Sequence, residues 1–196
     1  TTRLAQRGFP VIAGRISGNS WGNDASTTDI DELLTYARAN QDAHATLMIG
    51  FGLSMGSISL LAWAGSSGAR LAQMTCLLGI VPAVDLVDLH DNRGYDTSID
   101  AAYTDHAGYL AAIATHDPQT LAENGALDGL HAKLWYGGID PAVAPATVEA
   151  FAATIGSTVE LEEFPTLEHL LTAALTPPPQ VVSYAISQYA PTAALR

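Results

Sequence analysis

The sequence is organised around one glycine-rich segment, Ile49-Gly50-Phe51-Gly52-Leu53-Ser54-Met55-Gly56-Ser57. The apolar run at 45–49 predicts a buried strand, and the apolar run at 58–64 predicts a buried helix. The G-x-S-x-G pattern at 52–56 therefore falls on a sharp strand-to-helix turn, which lifts the Ser54 hydroxyl clear of the sheet. The Met55 backbone N–H, at the start of the helix, is placed to meet negative charge on a carbonyl oxygen. The alternative is a glycine-rich turn with a bystander serine.

Composition excludes several classes of protein. The chain has 196 residues, 48% of them hydrophobic and 14% charged, which is typical of one soluble globular domain. A formal net charge of −12, without a run of lysines or arginines, argues against nucleic acid as a partner. No apolar run is long enough to cross a membrane. Cys76 is the only cysteine and lies in an apolar run, so we expect a buried, unreactive thiol and no intrachain disulfide.

Strand and helix patterns alternate along the chain and predict a mostly parallel sheet with helices on both faces. Strands are predicted at 9–13, 45–49, 74–81, 132–138 and 158–164, the last as a half-exposed edge strand. Helices are predicted ending at Gly8 and at 29–39 (capped by Thr27 or Thr28), 58–64, 118–126, 145–155 and 177–189. The pattern weakens between 85 and 130. We therefore expect residues 1–84 and 131–196 to form the two parts of one core, with residues 85–130 inserted as a small helical cap.

Ser54 needs a base and a group that orients the base, because its hydroxyl is protonated at physiological pH. Among the six histidines, His169 follows the last predicted core strand, and Asp140 follows the strand before it. The carboxyl ends of parallel strands share one edge of a sheet, so these three side chains are expected to meet there. Asp85 also follows a strand and is the second candidate for the acid. Asp140 as an ordinary turn residue and His169 as a structural histidine are the alternatives.

The chain resembles the α/β-hydrolase family from about Leu4 to Tyr189. Four segments carry the resemblance: Gly8-Phe9-Pro10-Val11-Ile12-Ala13, Gly50-Phe51-Gly52-Leu53-Ser54-Met55-Gly56, Gly138-Ile139-Asp140-Pro141-Ala142-Val143 and Pro165-Thr166-Leu167-Glu168-His169. The resemblance implies Ser54 as nucleophile, His169 as general base and acid, Asp140 as its orienting acid and Met55 as an oxyanion donor, with no cofactor and no metal.

The chain departs from that family in two places. Glu168 stands where the family usually has a glycine, so a carboxylate either raises the pKa of His169 or points to solvent. The family also carries a His-Gly motif on a strand that completes the oxyanion hole, and the sequence beginning at Thr1 does not supply it. Either a longer polypeptide provides that strand, which we expect, or the region pairs differently and the hole is incomplete.

A narrower resemblance concerns hydrolase domains in minor tail proteins of actinobacterial phages. It rests on Trp21-Gly22-Asn23-Asp24, on the 52–56 pentapeptide and on residues 81–95. It implies a virion or extracellular protein, with a cell-envelope ester as target and the rest of a longer polypeptide or a virion assembly as partner; otherwise a cytoplasmic protein is expected.

The expected activity is hydrolysis of a small-molecule or lipid carboxylic ester through an acyl-enzyme. An acyltransferase or thioesterase on the same residues, and a catalytically silent binding or structural domain, are the alternatives. The aromatic residues Trp21, Tyr95 and Tyr103 either line the substrate pocket or simply pack the cap. A second choice concerns the segment 85–91: Asp85, Asp88, His90 and Asp91 are either metal ligands or a solvated loop, and we expect the loop. His106 and His116 are predicted on the surface of the cap.

Overall fold

The computed structural model describes residues 11–14, 16–40 and 46–175, with 179, 181, 183–185 and 187 beyond them. The strands are β1 (Met48–Leu53), β2 (Met74–Ile80), β3 (Ala132–Gly137) and β4 (Val159–Phe164). The helices are α1 (Asp24–Asn40), α2 (Met55–Gly65), α3 (Gly68–Leu71), α4 (Leu86–Asn92), α5 (Asp96–Ala102), α6 (His106–His116), α7 (Pro118–Glu123), α8 (Pro145–Ile155) and α9 (His169–Leu175).

The four strands form one parallel sheet in the order β1-β2-β3-β4. Because consecutive strands are neighbours and parallel, right-handed crossovers place every connecting helix on the same face of the sheet. The core on that face is built from the sheet residues Leu77 and Leu134 packed with Leu61 of α2 and Phe151 of α8. The predicted half-exposed edge strand is confirmed, since β4 lies at the end of the sheet beside β3 and all its residues are half-buried or exposed.

The opposite face carries a smaller apolar cluster. Leu78 and Trp135 of the sheet pack there with Val181 and Ala185, which are helical, and with Ala173 of α9. Helices thus cover both faces, as the sequence predicted. Within the described residues no helix has the length and hydropathy that a bilayer crossing requires.

The N-terminal part differs from the sequence prediction. The predicted strand at 9–13 is not formed at 11–13, while residues 9 and 10, like the predicted helix end at Gly8, lie outside the described residues. Val11 and Ile12 are about 40% exposed and pair with no strand in the part of the chain that the structure describes. The helix predicted from Asp29 begins five residues earlier, at Asp24, because the side chain of Asn23 accepts the Ser26 N–H and caps it there.

Two further boundaries were wrong. The strand predicted at 45–49 is β1, shifted to Met48–Leu53, because its pairing with β2 continues as far as Leu53 opposite Ile80. His169 was expected in a loop, but it is the first residue of α9. The helix predicted to begin after the prolines at 177–179 falls partly outside the described residues; those described there are helical.

Helices α4 to α7 occupy the segment 85–130 between β2 and β3. Their buried residues, such as Leu86 of α4, Ile99 of α5 and Tyr109 of α6, belong to the same hydrophobic cluster as the sheet residue Leu77. The division of the chain into a core in two parts and an inserted cap remains a prediction.

Candidate active site

Ser54 occupies the tip of the turn between β1 and α2, in a backbone conformation that residues with a side chain rarely adopt. Its φ is 50° and its ψ is −121°, which stores strain of about 1–3 kcal/mol. Three backbone hydrogen bonds hold it there: the Ser54 N–H donates to Ile80 O (3.0 Å), and the Ser54 carbonyl accepts from Ser57 N (2.9 Å) and Ala83 N (3.3 Å). The loop after β2 therefore braces the turn from the side.

The two glycines of the pentapeptide, Gly52 and Gly56, differ in the space available for a side chain. A Cβ on Gly52 would lie 2.6 Å from the Ser57 Oγ and 2.8 Å from the Ser57 Cα, so only glycine lets the strand pass the helix. A Cβ on Gly56 would meet nothing within 4 Å. A side chain is therefore excluded at Gly52 by the contact between strand and helix, and not at Gly56.

Ser54, His169 and Asp140 form a continuous line of hydrogen-bonding groups. The His169 Nε2 lies 3.0 Å from the Ser54 Oγ, and the His169 Nδ1 lies 2.7 Å from the Asp140 Oδ2. A carboxylate can only accept, so His169 carries its proton on Nδ1 and offers the lone pair of Nε2 to the serine hydroxyl. This is the tautomer that a base acting on Ser54 requires.

The Asp140 side chain is fixed and almost fully buried, with 2% of its surface exposed. Its Oδ1 accepts the backbone N–H groups of Ala142 (2.9 Å) and Val143 (3.0 Å), which leaves Oδ2 for His169. The turn role that was the alternative for Asp140 is therefore present. The same two hydrogen bonds also orient the Asp140 Oδ2 towards His169.

The histidine approaches the acid because Gly137 and Gly138 have no side chains. A Cβ on Gly137 would lie 2.3 Å from the Leu167 carbonyl oxygen, and one on Gly138 would lie 2.7 Å from the Pro165 carbonyl oxygen. The segment between β4 and α9 rests directly on this backbone, which brings His169 over Asp140. Glu168 is exposed, so its carboxylate lies on the solvent side of the segment.

Met55 is the first residue of α2, where backbone N–H groups have no acceptor one turn earlier in the helix. Its side chain packs against the larger core cluster, which fixes the peptide in place. The helix N-terminus adds a partial positive charge at this point. The role of the Met55 N–H as an oxyanion donor stays a prediction.

Asp85, the second candidate for the acid, lies elsewhere. Its Oδ1 accepts the Asp88 N–H at 2.8 Å and caps α4. Burial raises the pKa of the Asp85 carboxyl, and the hydrogen bond from Asp88 offsets only part of that increase. A capping role accounts for this residue, and the carboxylate beside His169 belongs to Asp140.

The three aromatic residues predicted to line a substrate pocket lie together, and the polar groups of Trp21 and Tyr103 are engaged in the fold. The Trp21 ring is tilted against Tyr95 at 5.2 Å, and its Nε1–H donates to the Ser98 Oγ at 2.9 Å. The Tyr103 hydroxyl donates to the Trp21 carbonyl at 2.8 Å. Trp21 is only 7% exposed, so its contacts are those of a packing residue.

Sequence reasoning missed the supports of this site. The Ala142, Val143 and Ala83 N–H groups carry no side-chain signal that a single sequence displays. The glycine pair at 137–138 was visible, and its position immediately before Asp140 is the signal from which a close approach by another segment could have been inferred.

Neither a family model nor a curated protein matches this chain. Solved structures do match, at low identity. Puromycin hydrolase is 17% identical with a TM-score of 0.60 over 77% of this chain and 22% of its own. An esterase from Pyrococcus furiosus is 15% identical with a TM-score of 0.58, over 90% of this chain and 64% of its own. A lipase/esterase from Lactobacillus plantarum is 15% identical with a TM-score of 0.57, over 91% of this chain and 72% of its own.

These neighbours share the α/β-hydrolase fold, and the likeness establishes that fold for this chain. The chain spans under a quarter of the length of puromycin hydrolase and 64% of the esterase.

Proposed function

We propose that this chain is a serine hydrolase that cleaves carboxylic esters through an acyl-enzyme intermediate. The observation that carries the proposal is the line from Asp140 through His169 to Ser54, with contacts of 2.7 Å and 3.0 Å. A serine on a strained turn, with an acceptor nitrogen on its hydroxyl and a buried carboxylate behind that nitrogen, is an arrangement that serves nucleophilic catalysis.

In the first half-reaction, the Ser54 Oγ attacks the ester carbonyl carbon while its proton passes to the His169 Nε2. Asp140 stabilises the imidazolium and does not itself take the proton. The Met55 N–H donates to the oxyanion of the tetrahedral intermediate. When that intermediate collapses, the bond to the alcohol oxygen breaks and His169 returns the proton to the leaving alcohol.

In the second half-reaction, water takes the place of the alcohol. His169 removes a proton from the water as it attacks the acyl carbon, and the bond to the Ser54 Oγ then breaks as the serine regains its proton. The products are a carboxylic acid and a free enzyme, so protons and electrons balance without a cofactor.

The finer parts of the proposal concern the substrate and the setting. A cell-envelope ester as target, within a phage tail protein, rests on the narrower sequence resemblance alone; none of the structures named above is a tail protein. Trp21, Tyr95 and Tyr103, together with helices α4 to α7, are proposed to border the acyl pocket, although the contacts of Trp21 favour a packing role.

The proposal is tested by hydrolysis of p-nitrophenyl esters of short and long acyl chains. Wild-type protein should release p-nitrophenol, and Ser54→Ala should not. Ser57→Ala is a matched control, since this serine is fully buried three residues away and should tolerate the change. Turnover retained in Ser54→Ala would refute the mechanism, and the absence of turnover in wild type would favour a binding or structural domain. Transfer of the acyl group to an added alcohol or thiol, in preference to water, would indicate the acyltransferase alternative.

A further inference from the structure

Two histidines and an aspartate from three successive helices lie close together, and the proposed hydrolysis uses none of them. The three helices follow β2 and precede β3 along the chain. His90 belongs to α4, Asp100 to α5 and His106 to the start of α6. The His90 Nε2 and the His106 Nδ1 each lie 3.2 Å from the same oxygen, the Asp100 Oδ1. One nitrogen or oxygen atom from each residue lies within 4.8 Å of the other two.

Both ring nitrogens of His90 face carboxylates. The His90 Nδ1 lies 2.6 Å from the Asp91 Oδ1, and the His90 Nε2 lies 3.2 Å from the Asp100 Oδ1. A carboxylate oxygen only accepts, and a neutral imidazole donates through one nitrogen, so in the neutral ring one of these two contacts sets an acceptor against an acceptor. A second proton on the ring, or a metal ion on one of its nitrogens, removes that conflict.

Two of the three separations between ligand atoms fit a metal ion. Bonds of about 2.0–2.1 Å to a tetrahedral Zn²⁺ separate neighbouring ligand atoms by about 3.3 Å. The two separations of 3.2 Å around the Asp100 Oδ1 match that spacing. Two imidazoles and one carboxylate also suit a first-row transition metal better than Mg²⁺ or Ca²⁺, because those two ions favour oxygen ligands.

The surroundings hold these groups in position. The Asp91 carboxylate on the second nitrogen of His90 is the outer partner that metal-binding histidines usually have, and it fixes the ring's tautomer. The buried Tyr109 ring stacks on His90 at 4.3 Å with an interplanar angle of 11°. The His90 side chain is 9% exposed and that of His106 is 56% exposed, so the cluster is closed on one side and open to water on the other.

Residues 85–91 were expected to form a solvated loop, but residues 86–92 form α4. The set of metal ligands that was the alternative for this segment is dispersed. Asp85 caps α4, and Asp88 accepts from the Arg93 Nε at 2.9 Å. Of that set, His90 alone faces the cluster with a ring nitrogen, and Asp91 stands behind it. The partners of His90 are Asp100 and His106, ten and sixteen residues further along the chain, which sequence spacing did not point to.

We propose that His90, Asp100 and His106 bind one divalent transition-metal ion, with zinc as the first ion to test and solvent completing its coordination. The ion fastens α4, α5 and α6 to one another. Asp91 acts as a positioning residue through His90 and does not touch the metal.

The test is titration of chelator-treated protein with ZnCl₂ by calorimetry, with the zinc content measured after gel filtration. Wild type should bind one zinc per chain. His106→Ala and Asp100→Asn should lose that site, whereas His131→Ala, which removes an exposed imidazole outside the cluster, should keep it. Asp91→Asn should weaken the affinity by about 10–100-fold. Co²⁺ should give the visible band of a four-coordinate ion in wild type and not in His106→Ala.

Two outcomes would overturn the proposal. The first is no zinc binding by wild type, which would leave protonated imidazoles as the cations between the ring nitrogens and Asp100. The second is zinc bound equally by wild type and His106→Ala, which would place the ion elsewhere. His106 is mostly exposed, so its truncation should leave the melting temperature in chelator unchanged, and that melt confirms that the variant is folded.

Discussion

The replacement Asp140→Asn isolates the role of the carboxylate with almost no change in shape. Asp140 Oδ1 accepts two backbone N–H groups, from Ala142 and Val143, and Oδ2 faces the His169 Nδ1. In the variant the amide oxygen should keep the place of Oδ1, because the opposite orientation would set an NH₂ group against two N–H donors, at a cost of about 1–3 kcal/mol for each unsatisfied group.

The amide NH₂ then faces His169 and donates to its Nδ1, so the ring proton moves to Nε2. That nitrogen now donates towards the Ser54 hydroxyl and cannot accept its proton. We expect kcat for ester hydrolysis to fall by about 10⁴-fold. At 1.36 kcal/mol for each factor of ten, this corresponds to about 5.4 kcal/mol of transition-state stabilisation.

The assay is steady-state hydrolysis of a p-nitrophenyl ester, with thermal melts to compare folding. Asp85→Asn is the matched control: asparagine caps helices as well as aspartate does, so α4 should remain intact and kcat should match wild type. A fall of less than about tenfold in Asp140→Asn would refute the reasoning that Asp140 sets the tautomer of His169. A large fall in Asp85→Asn would move the acid to Asp85.

Three further predictions follow from local packing and charge. Gly52→Ala should lower the free energy of unfolding by about 1–3 kcal/mol and impair turnover, whereas Gly56→Ala should preserve both. Denaturant titrations and hydrolysis rates measure the two effects, and equal losses in the two variants would contradict the geometry. Ser57→Ala should leave the unfolding free energy unchanged or raise it, since no described group bonds its buried hydroxyl, and a loss above about 2 kcal/mol would reveal a partner. Burial raises the pKa of Cys76 from 9.0 to about 12, so between those values only the folded state keeps the thiol proton. Between these two pH values the free energy of unfolding should fall more steeply in wild type than in Cys76→Ala, by about 1.4 kcal/mol for each pH unit. Parallel pH profiles of the two proteins would contradict this.

The fold was predictable wherever one residue pattern dominated. Continuous apolar runs predicted β2 and β3, and a proline predicted the start of α8. The bounds of these three elements were predicted to within one residue. The prediction was wrong where distant groups set the outcome. Pairing with β2 extends β1 to Leu53, and the absence of a neighbouring strand among the described residues leaves 11–13 outside the sheet.

The candidate site was predictable in its members and not in its supports. Ser54, Asp140 and His169 each follow a strand of a parallel sheet, so topology alone predicted that they share an edge. That the Asp140 Oδ1 is occupied by two N–H groups, or that Gly137 admits the Leu167 carbonyl, depends on backbone contacts that residue types do not record. The meeting of His90 with Asp100 and His106 depends in the same way on how three short helices pack.

Reaction with a fluorophosphonate probe, followed by peptide mapping, tests the central claim most directly, because the probe modifies a serine only when a neighbouring base activates it. We expect one adduct per chain, at Ser54, that forms in wild type and Ser57→Ala and is lost in His169→Ala. Absence of an adduct in the folded wild-type protein, or an adduct at Ser54 that persists unchanged in His169→Ala, would contradict the claim that His169 makes Ser54 a nucleophile.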